Sequence, residues 1–419
     1  MARQMKDSGV EWIGDIPKEW QVIKCKHLAT VQSGFPFDSA KFSNSEGTPL
    51  IRIRDITSGY TQTFYTGEYD SEYIVSRGNL LIGMDGDFNI RMWQGTNALL
   101  NQRCCRVVSN SEIELSFLYY CLPFHLEITN NLAYATTVKH LSNSDILNAP
   151  VPYPQKCTRE RIISYLDSKC AEIDKVVEQT RATIEEYKKL KQAIITEAVT
   201  KGVRGPRRMK PSGVEWIGDI PEEWKVCKLK KVITFVNGYA FDSSSLSVDG
   251  DCCVVRIGDL QNGTISYESA LRVHYADELE RFLIREGDIL IAMSGATVGK
   301  TSMAGCPPVR TYINQRVGII RTKIKELVKY ILMSTGFCRL ISLLSDGTAQ
   351  PNISTENIKD FSICLPDSTE LQEIATYLGT KCAEIDRIIE KKEQLIEELG
   401  SYKKSLIYEY VTGKKEVKA

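Results

Sequence analysis

The chain has 419 residues, too many for one ordinary domain and enough for two or three. Charged residues make up 25% and apolar residues 42%, the balance of a soluble globular protein, and the absence of any apolar run of about 18 residues or more excludes a membrane-spanning helix. Net charge is zero, which counts against a nucleic-acid binder acting alone unless its charge is unevenly spread or a partner supplies basic surface.

The first residues, Met1 to Val10, contain no apolar core of the kind a secretory signal needs. Met5-Lys6-Asp7-Ser8-Gly9-Val10-Glu11-Trp12-Ile13-Gly14-Asp15-Ile16-Pro17 follows, and Glu19-Trp20 completes it. This stretch returns from Met209 to Pro221 with one change, then Glu223-Trp224. Later segments return in the same order. Gly34-Phe35-Pro36-Phe37-Asp38-Ser39 is echoed from Gly238 to Ser243, and Arg52-Ile53-Arg54-Asp55 from Arg256 to Asp259. Asn101-Gln102-Arg103 is echoed by Asn314-Gln315-Arg316, and Lys169-Cys170-Ala171-Glu172-Ile173-Asp174 is identical to residues 381–386. The chain is one unit written twice.

Within each copy a mixed segment comes first (residues 1–156 and 204–366, with linkers 5–22 and 209–226). Its short apolar runs, Leu80-Leu81-Ile82 and Asp288-Ile289-Leu290-Ile291-Ala292, are bounded by glycines and predict strands. A long helix follows each, over 157–203 and 367–415. Thr158 is the expected N-cap of the first, and Asp367-Ser368-Thr369-Glu370 has the form of a capping box for the second. Ile173, Val177, Ile184, Tyr187 and Ile194 recur at helical spacing in the first; Ile385, Ile389, Ile396, Leu399 and Leu406 do so in the second. These are coiled-coil seams flanked by Glu and Lys. A helix of about 40 residues runs roughly 60 Å and cannot stand alone. The simplest partner for each is the other, running antiparallel. The expected fold is therefore α+β: two mixed domains separated by an antiparallel coiled coil of two long helices, with an internal pseudo-two-fold repeat.

Thirteen cysteines form no C-x-x-C pair, and four histidines form no metal-ligating pattern. Reduced, buried thiols in a cytoplasmic protein are expected, with no metal site. Gly295-Ala296-Thr297-Val298-Gly299-Lys300-Thr301 resembles a P-loop but has three residues between its glycines where four are required. It is read as a strand-connecting loop in which Lys300 is placed to meet phosphate. Trp12, Trp20, Trp216 and Trp224 are expected to pack the linkers against helix ends. The basic run Lys201 to Lys210 fits either a DNA-facing or a solvated linker.

Two unlike heads held at fixed spacing suit a reader of a two-part linear polymer such as DNA. The repeated Trp-Ile-Gly-Asp-Ile-Pro-x-x-Trp at 12–20 and 216–224 resembles the specificity subunit of type I restriction-modification systems. So do Gly287 to Ile291, both Asn-Gln-Arg triplets, and the helix endings Glu197 to Thr200 and Glu409 to Lys414. The resemblance covers nearly the whole chain. It implies that each mixed segment is a target recognition domain for one half of a bipartite asymmetric DNA site, and that the helices set the gap and dock two methyltransferase subunits. Motor-nuclease subunits would complete the assembly. S-adenosylmethionine would sit in the methyltransferase, leaving this chain without cofactor or catalysis, in a bacterial or archaeal cytoplasm. The chain lacks the Asn/Asp-Pro-Pro-Tyr/Phe motif of amino-methyltransferases.

Arg and Lys read guanine and Asn and Gln read adenine from loops. The candidate base-reading residues are Arg91, Trp93, Lys139 and His140 in the first copy. In the second they are Lys300, Arg310, Tyr312, Gln350 and Asn352. The shared Asn-Gln-Arg triplets are less suited to encoding two different half-sites and are read as structural or backbone-contacting. Neutral charge leaves a second reading open: a scaffold clamping two copies of a protein partner without DNA specificity.

Overall fold

The computed structural model describes residues 3–132, 140–247, 249–261, 263–268, 270–345 and 351–417. The chain forms two compact units, and the division falls inside both long helices. Unit 1 comprises Met1–Gln179 with Leu395–Ala419; unit 2 is Thr180–Gln394. The helices in chain order are α1 (Ile53–Ser58), α2 (Glu112–Leu132), α3 (Asn143–Leu147), α4 (Lys156–Lys201), α5 (Lys325–Leu332), α6 (Thr335–Ser345), α7 (Thr355–Lys359) and α8 (Ser368–Val411).

Unit 1 opens with an antiparallel pair, Met5–Asp7 on Asp15–Pro17. Its main sheet is antiparallel, ordered Ile90–Met92, Leu80–Gly83, Cys104–Val108 and Thr30–Ser33. The Leu80-Leu81-Ile82 run forms a strand because both its faces are covered, which a continuous apolar run requires. A second, mixed sheet pairs Ala98–Leu100 parallel to Thr48–Ile51. Pro150–Tyr153 pairs with Gln21–Lys24 and leads directly into α4.

Unit 2 repeats the plan. Met209–Pro211 pairs with Asp219–Pro221. The main sheet runs Thr234–Asn237, Val317–Arg321, Ile289–Ala292, Thr301–Met303. Cys252–Val255 lies parallel to Thr311–Ile313, and Lys225–Lys228 pairs with Ser362–Leu365 before α8. The units differ where α2, with Pro123 inside it, stands in unit 1 and the broken pair α5 and α6 stands in unit 2. The break centres on buried Ser334, whose hydroxyl turns back to the Ile331 carbonyl at 2.7 Å. No single helix among the described residues is long and apolar enough to cross a membrane.

The long helices contain 46 and 44 residues and pack together within each unit. In unit 1 Tyr165 meets Tyr410 with ring centres 4.5 Å apart, and Asp174 takes the Lys403 ammonium at 2.6 Å. Residue numbers rise on α4 as they fall on α8, so the pairing is antiparallel. In unit 2 Lys191 reaches Asp386 at 2.6 Å and Lys392 lies 5.9 Å from the Tyr187 ring centre, again antiparallel. Asp174 and Asp386 are the last residues of the identical hexapeptides, so each copy of the motif supplies the same cross-helix ion pair. Each is worth only about 0.2–1 kcal/mol because it is partly solvated; apolar burial dominates.

The seam contains every expected residue in a buried or half-buried position. Ile173, Ile184, Ile385 and Leu406 are buried; Val177, Tyr187, Ile194, Ile389, Ile396 and Leu399 are half-buried. Cys170 and Cys382 of the hexapeptides join it, and Ile195 is more deeply buried than Ile194.

Two helix starts depart from expectation. Helix α4 begins at Lys156, so Thr158 lies inside its first turn and does not cap it. The Gln155 carbonyl accepts the amides of both Thr158 and Arg159 at 3.0 Å, because the extended stretch ends at Pro154 and the helix starts at once. At α8 only half of the capping box forms. The Asp367 carboxylate accepts the Glu370 amide at 2.8 Å, while the Glu370 side chain is drawn away to Arg207 and Trp224.

Both helices end on a glycine in the left-handed region, Gly202 (φ +79°) and Gly413 (φ +74°), the usual solution for a helix C-terminus. A Cβ on Gly413 would stand 3.0 Å from the Trp20 ring, and one on Gly202 would stand 3.2 Å from Trp224. Each helix end therefore rests on the tryptophan that closes a linker motif.

Candidate nucleic-acid interface

The tryptophans of the linkers are packing residues. Trp20 and Trp224 are buried; Trp12 stacks on Phe124 at 5.7 Å and Trp216 on Phe361 at 5.0 Å. Two of the five basic side chains in the linker of unit 2, Arg204 and Arg207, are paired with carboxylates. Arg204 holds Glu373 through two hydrogen bonds of 2.7 and 2.9 Å, Arg207 holds Glu370 and Glu223, and Lys210 caps the Glu222 carbonyl at 2.5 Å. The hydrogen bonds from the Arg204 guanidinium hold the Glu373 carboxyl below its ordinary range.

The stretch resembling a P-loop is a hairpin. Residues 295–300 connect antiparallel strands Ile289–Ala292 and Thr301–Met303, and the Gly299 amide returns to the Ala292 carbonyl at 2.9 Å. No helix follows whose amides would cradle a phosphate. Lys300 sits half-buried at the far end of that hairpin turn.

The base-reading candidates fall into three groups. His140, Arg310 and Asn352 are exposed, and Arg91 and Lys300 are half-buried. Arg91 donates to the Thr57 carbonyl at 2.8 Å, which fixes its guanidinium over the end of α1. Arg310 lies over the Tyr275 ring at 4.2 Å. Trp93 and Tyr312 are core residues, contrary to the surface placement expected of them. Trp93 is 1% exposed and its indole donates to the Thr96 carbonyl at 2.9 Å. Tyr312 is fully buried and its hydroxyl exchanges hydrogen bonds with the backbone of Ala276 at 3.2 and 3.3 Å. Both rings fill space beneath the sheets, where their one polar atom finds a backbone partner. Lys139 and Gln350 lie outside the described residues.

His140 is joined to residues that the sequence had not marked as readers. Asp85 accepts from His140 Nδ1 at 2.8 Å and from Arg103 at 2.6 Å. Burial alone would raise the Asp85 carboxyl, but these two donors outweigh it and hold it below the ordinary carboxylate range. Asn352 pairs through its backbone with Ser294. The signal that could have found Asp85 and Ser294 was their shared register, one residue beyond Met84 and Met293 in the two copies.

The family model for the type I restriction modification DNA specificity domain matches the chain twice, over residues 17–186 and 221–398. The chain belongs to this family. As a type I specificity chain it resembles two curated relatives over nearly its whole length. The type I restriction enzyme EcoBI specificity subunit of Escherichia coli is 26% identical over 434 aligned residues, covering 98% of this chain and 90% of the relative. The MjaVIII specificity subunit of Methanocaldococcus jannaschii is 26% identical, covering 96% and 94%. A chain from a solved structure concerned with complex assembly and conformational transition of the type I R-M system has a TM-score of 0.66. It is 17% identical, with 96% of this chain and 99% of that one covered. That likeness establishes the fold of the specificity chain: two mixed domains and paired long helices. The repeated family match makes DNA-sequence recognition the role of this type I specificity chain.

Proposed function

We propose that this chain gives a type I restriction-modification complex its DNA sequence. Residues 1–156 and 204–366 are target recognition domains, each reading one half of a bipartite, asymmetric site in double-stranded DNA. Helices 157–203 and 367–415 set the gap between the halves and dock two methyltransferase subunits. Those subunits carry S-adenosylmethionine and the chemistry; motor-nuclease subunits join them for cleavage, and this chain catalyses nothing. The setting is a bacterial or archaeal cytoplasm.

One observation carries the reading: the same scaffold is built twice, with different side chains at matching exposed positions. A protein clamping two identical partners needs like surfaces, whereas an asymmetric DNA site needs unlike ones. The reading residues proposed are exposed His140 and half-buried Arg91 in unit 1, and exposed Arg310 and Asn352 with half-buried Lys300 in unit 2. Trp93 and Tyr312 would hold the reading loops from beneath. Docking on the helices is supported by large apolar side chains on their outer faces: Val176 and Leu395 in unit 1, Leu190 and Ile388 in unit 2.

Sequencing of methylated bases in host DNA, with and without the chain, tests this. A two-part motif that vanishes with the chain is expected; an unchanged methylation pattern would overturn the assignment. The zero net charge favours a second reading, a scaffold without DNA specificity. It predicts a reconstituted complex that retards all DNA sequences equally in a gel shift.

A further inference from the structure

Each unit contains the same junction of three backbone segments. In unit 1 the Met84 amide donates to the Arg103 carbonyl at 2.9 Å, and the Met84 carbonyl accepts the Leu141 amide at 2.7 Å. In unit 2 the Met293 amide donates to the Arg316 carbonyl at 2.8 Å, and the Met293 carbonyl accepts the Ile353 amide at 2.9 Å. Beside each junction two residues are joined by an isolated antiparallel bridge, Asp85 with His140 and Ser294 with Asn352. Backbone bonding is therefore shared, and the bridged pair changes in both members at once.

The change is one of charge and hydrogen-bonding type. In unit 1 the Asp85 carboxylate binds both His140 and Arg103, so the Arg103 charge is matched locally. In unit 2 no carboxylate stands at that place. Arg316 is exposed, with no side-chain hydrogen bond or ion pair among the described residues, and the Ser294 hydroxyl is buried without a partner. Asn352 is exposed. Residues that only brace a junction have no need to differ in this coordinated way. Contacts that position a protein on DNA are sequence-blind and can be common to both units, whereas contacts to base edges must differ when half-sites differ.

We propose that the bridged pair is a specificity-determining position of each unit, Asp85–His140 for one half-site and Ser294–Asn352 for the other. This rests on the recognition role argued above. Asp85 is a positioning residue: holding Nδ1 of His140, it leaves Nε2 as the single outward ring nitrogen. Asn352 offers an adjacent donor and acceptor, the pattern that matches N7 and the N6 amino group of adenine in the major groove. One outward nitrogen and a two-point carboxamide select different bases. Arg103 and Arg316, identical in the two units, stay beside the pair for sequence-independent contact.

The test uses the reconstituted complex of full-length chain and its methyltransferase partner, selecting from DNA duplexes randomised in both half-sites. Asp85→Ser with His140→Asn converts the unit 1 pair to that of unit 2, and His140→Gln alone is a milder surface change should the double variant fold poorly. Preference is expected to shift at one or two bases of a single half-site, by roughly tenfold or more, with the other half-site unaltered. Selection identical to wild type overturns the proposal, and so does equal weakening on all sequences, which marks a backbone contact. If the wild-type complex itself selects no motif, the recognition role fails, which is a separate result.

Discussion

Trp224 donates its indole N–H to Glu370 at 2.7 Å, and both side chains are completely buried. Glu370 stands in the first turn of α8 and Trp224 ends the second linker motif, so the bond ties a helix start to the strand pair beside it. Arg207 adds its guanidinium, donating to Glu370 at 2.9 Å and lying 5.4 Å from the Trp224 ring centre. In unit 1 Arg3 lies at the same 5.4 Å from Trp20 but is bonded to Glu19. The repeated motif thus keeps its arginine–tryptophan contact, and unit 2 adds a buried carboxylate.

Removing that carboxylate strands Arg207 and the indole together. Glu370→Ala is expected to destabilise unit 2 by about 3 kcal/mol, the lower part of the range for breaking a buried pair, since Arg207 retains Glu223 and some solvent. Trp224→Phe, which leaves Arg207 on Glu370, should cost about 1–2 kcal/mol. Urea unfolding of the purified chain, followed by a probe confined to unit 2, measures both. Equal losses for the two variants would show that the ring and not the ion pair holds the joint.

The coiled-coil seam and the outer helix faces should respond oppositely. Leu406 is 4% exposed in the seam, and Leu406→Ala is expected to cost about 2–5 kcal/mol. Leu190 is 48% exposed, and Leu190→Lys should leave stability within about 0.5 kcal/mol. If the helices dock methyltransferase, the Leu190 change should nonetheless reduce co-purification of that subunit, while a surface change away from the helices does not.

Thiol chemistry should divide by burial. Desolvation pushes the thiol of Cys25 up to about 11 and those of Cys105 and Cys364 up to about 12. Because the thiolate is the reactive form, a raised pKa lowers reactivity at any given pH below it. At pH 8 these three should alkylate at least about 100-fold more slowly than an ordinary thiol with pKa near 8.5. Exposed Cys157 and Cys306 should label first under native conditions. Peptide mass spectrometry after timed iodoacetamide treatment reads the order; rapid native labelling of Cys105 would contradict the packing of the main sheet.

If the long helices act as a ruler, lengthening both should lengthen the recognised gap. Seven residues keep the seam in phase and add about 10 Å of helix, near three base pairs of DNA. Inserting a heptad after Gln179 and another after Gln394 is expected to yield a methylated motif with the same half-sites and a longer spacer. Base-resolution methylation sequencing checks this, and an unaltered spacer would remove the ruler role.

Helix α4, helix α8 and their buried faces were legible because a seam recurring every three to four residues has one physical explanation, and the absence of proline left nothing to interrupt it. The duplication was legible because identical hexapeptides and linker motifs stand in the same order. Trp93 and Tyr312 were not, since an aromatic residue in or just after a strand reads the same whether its ring faces solvent or core. Thr158 was misplaced as a cap because the extended chain ends one turn earlier than its polar residues suggest.

The amino-acid sequence by itself determined the repeat, the two long amphipathic helices and the family, all of which rest on local periodicity and ordered motifs along one chain. Only the tertiary structure decided which polar groups meet. The pairing of Asp85 with His140, of Ser294 with Asn352 and of Trp224 with Glu370 joins residues 55, 58 and 146 positions apart. Contacts across such separations depend on how sheets and helix ends fold back on one another, and no local pattern encodes that.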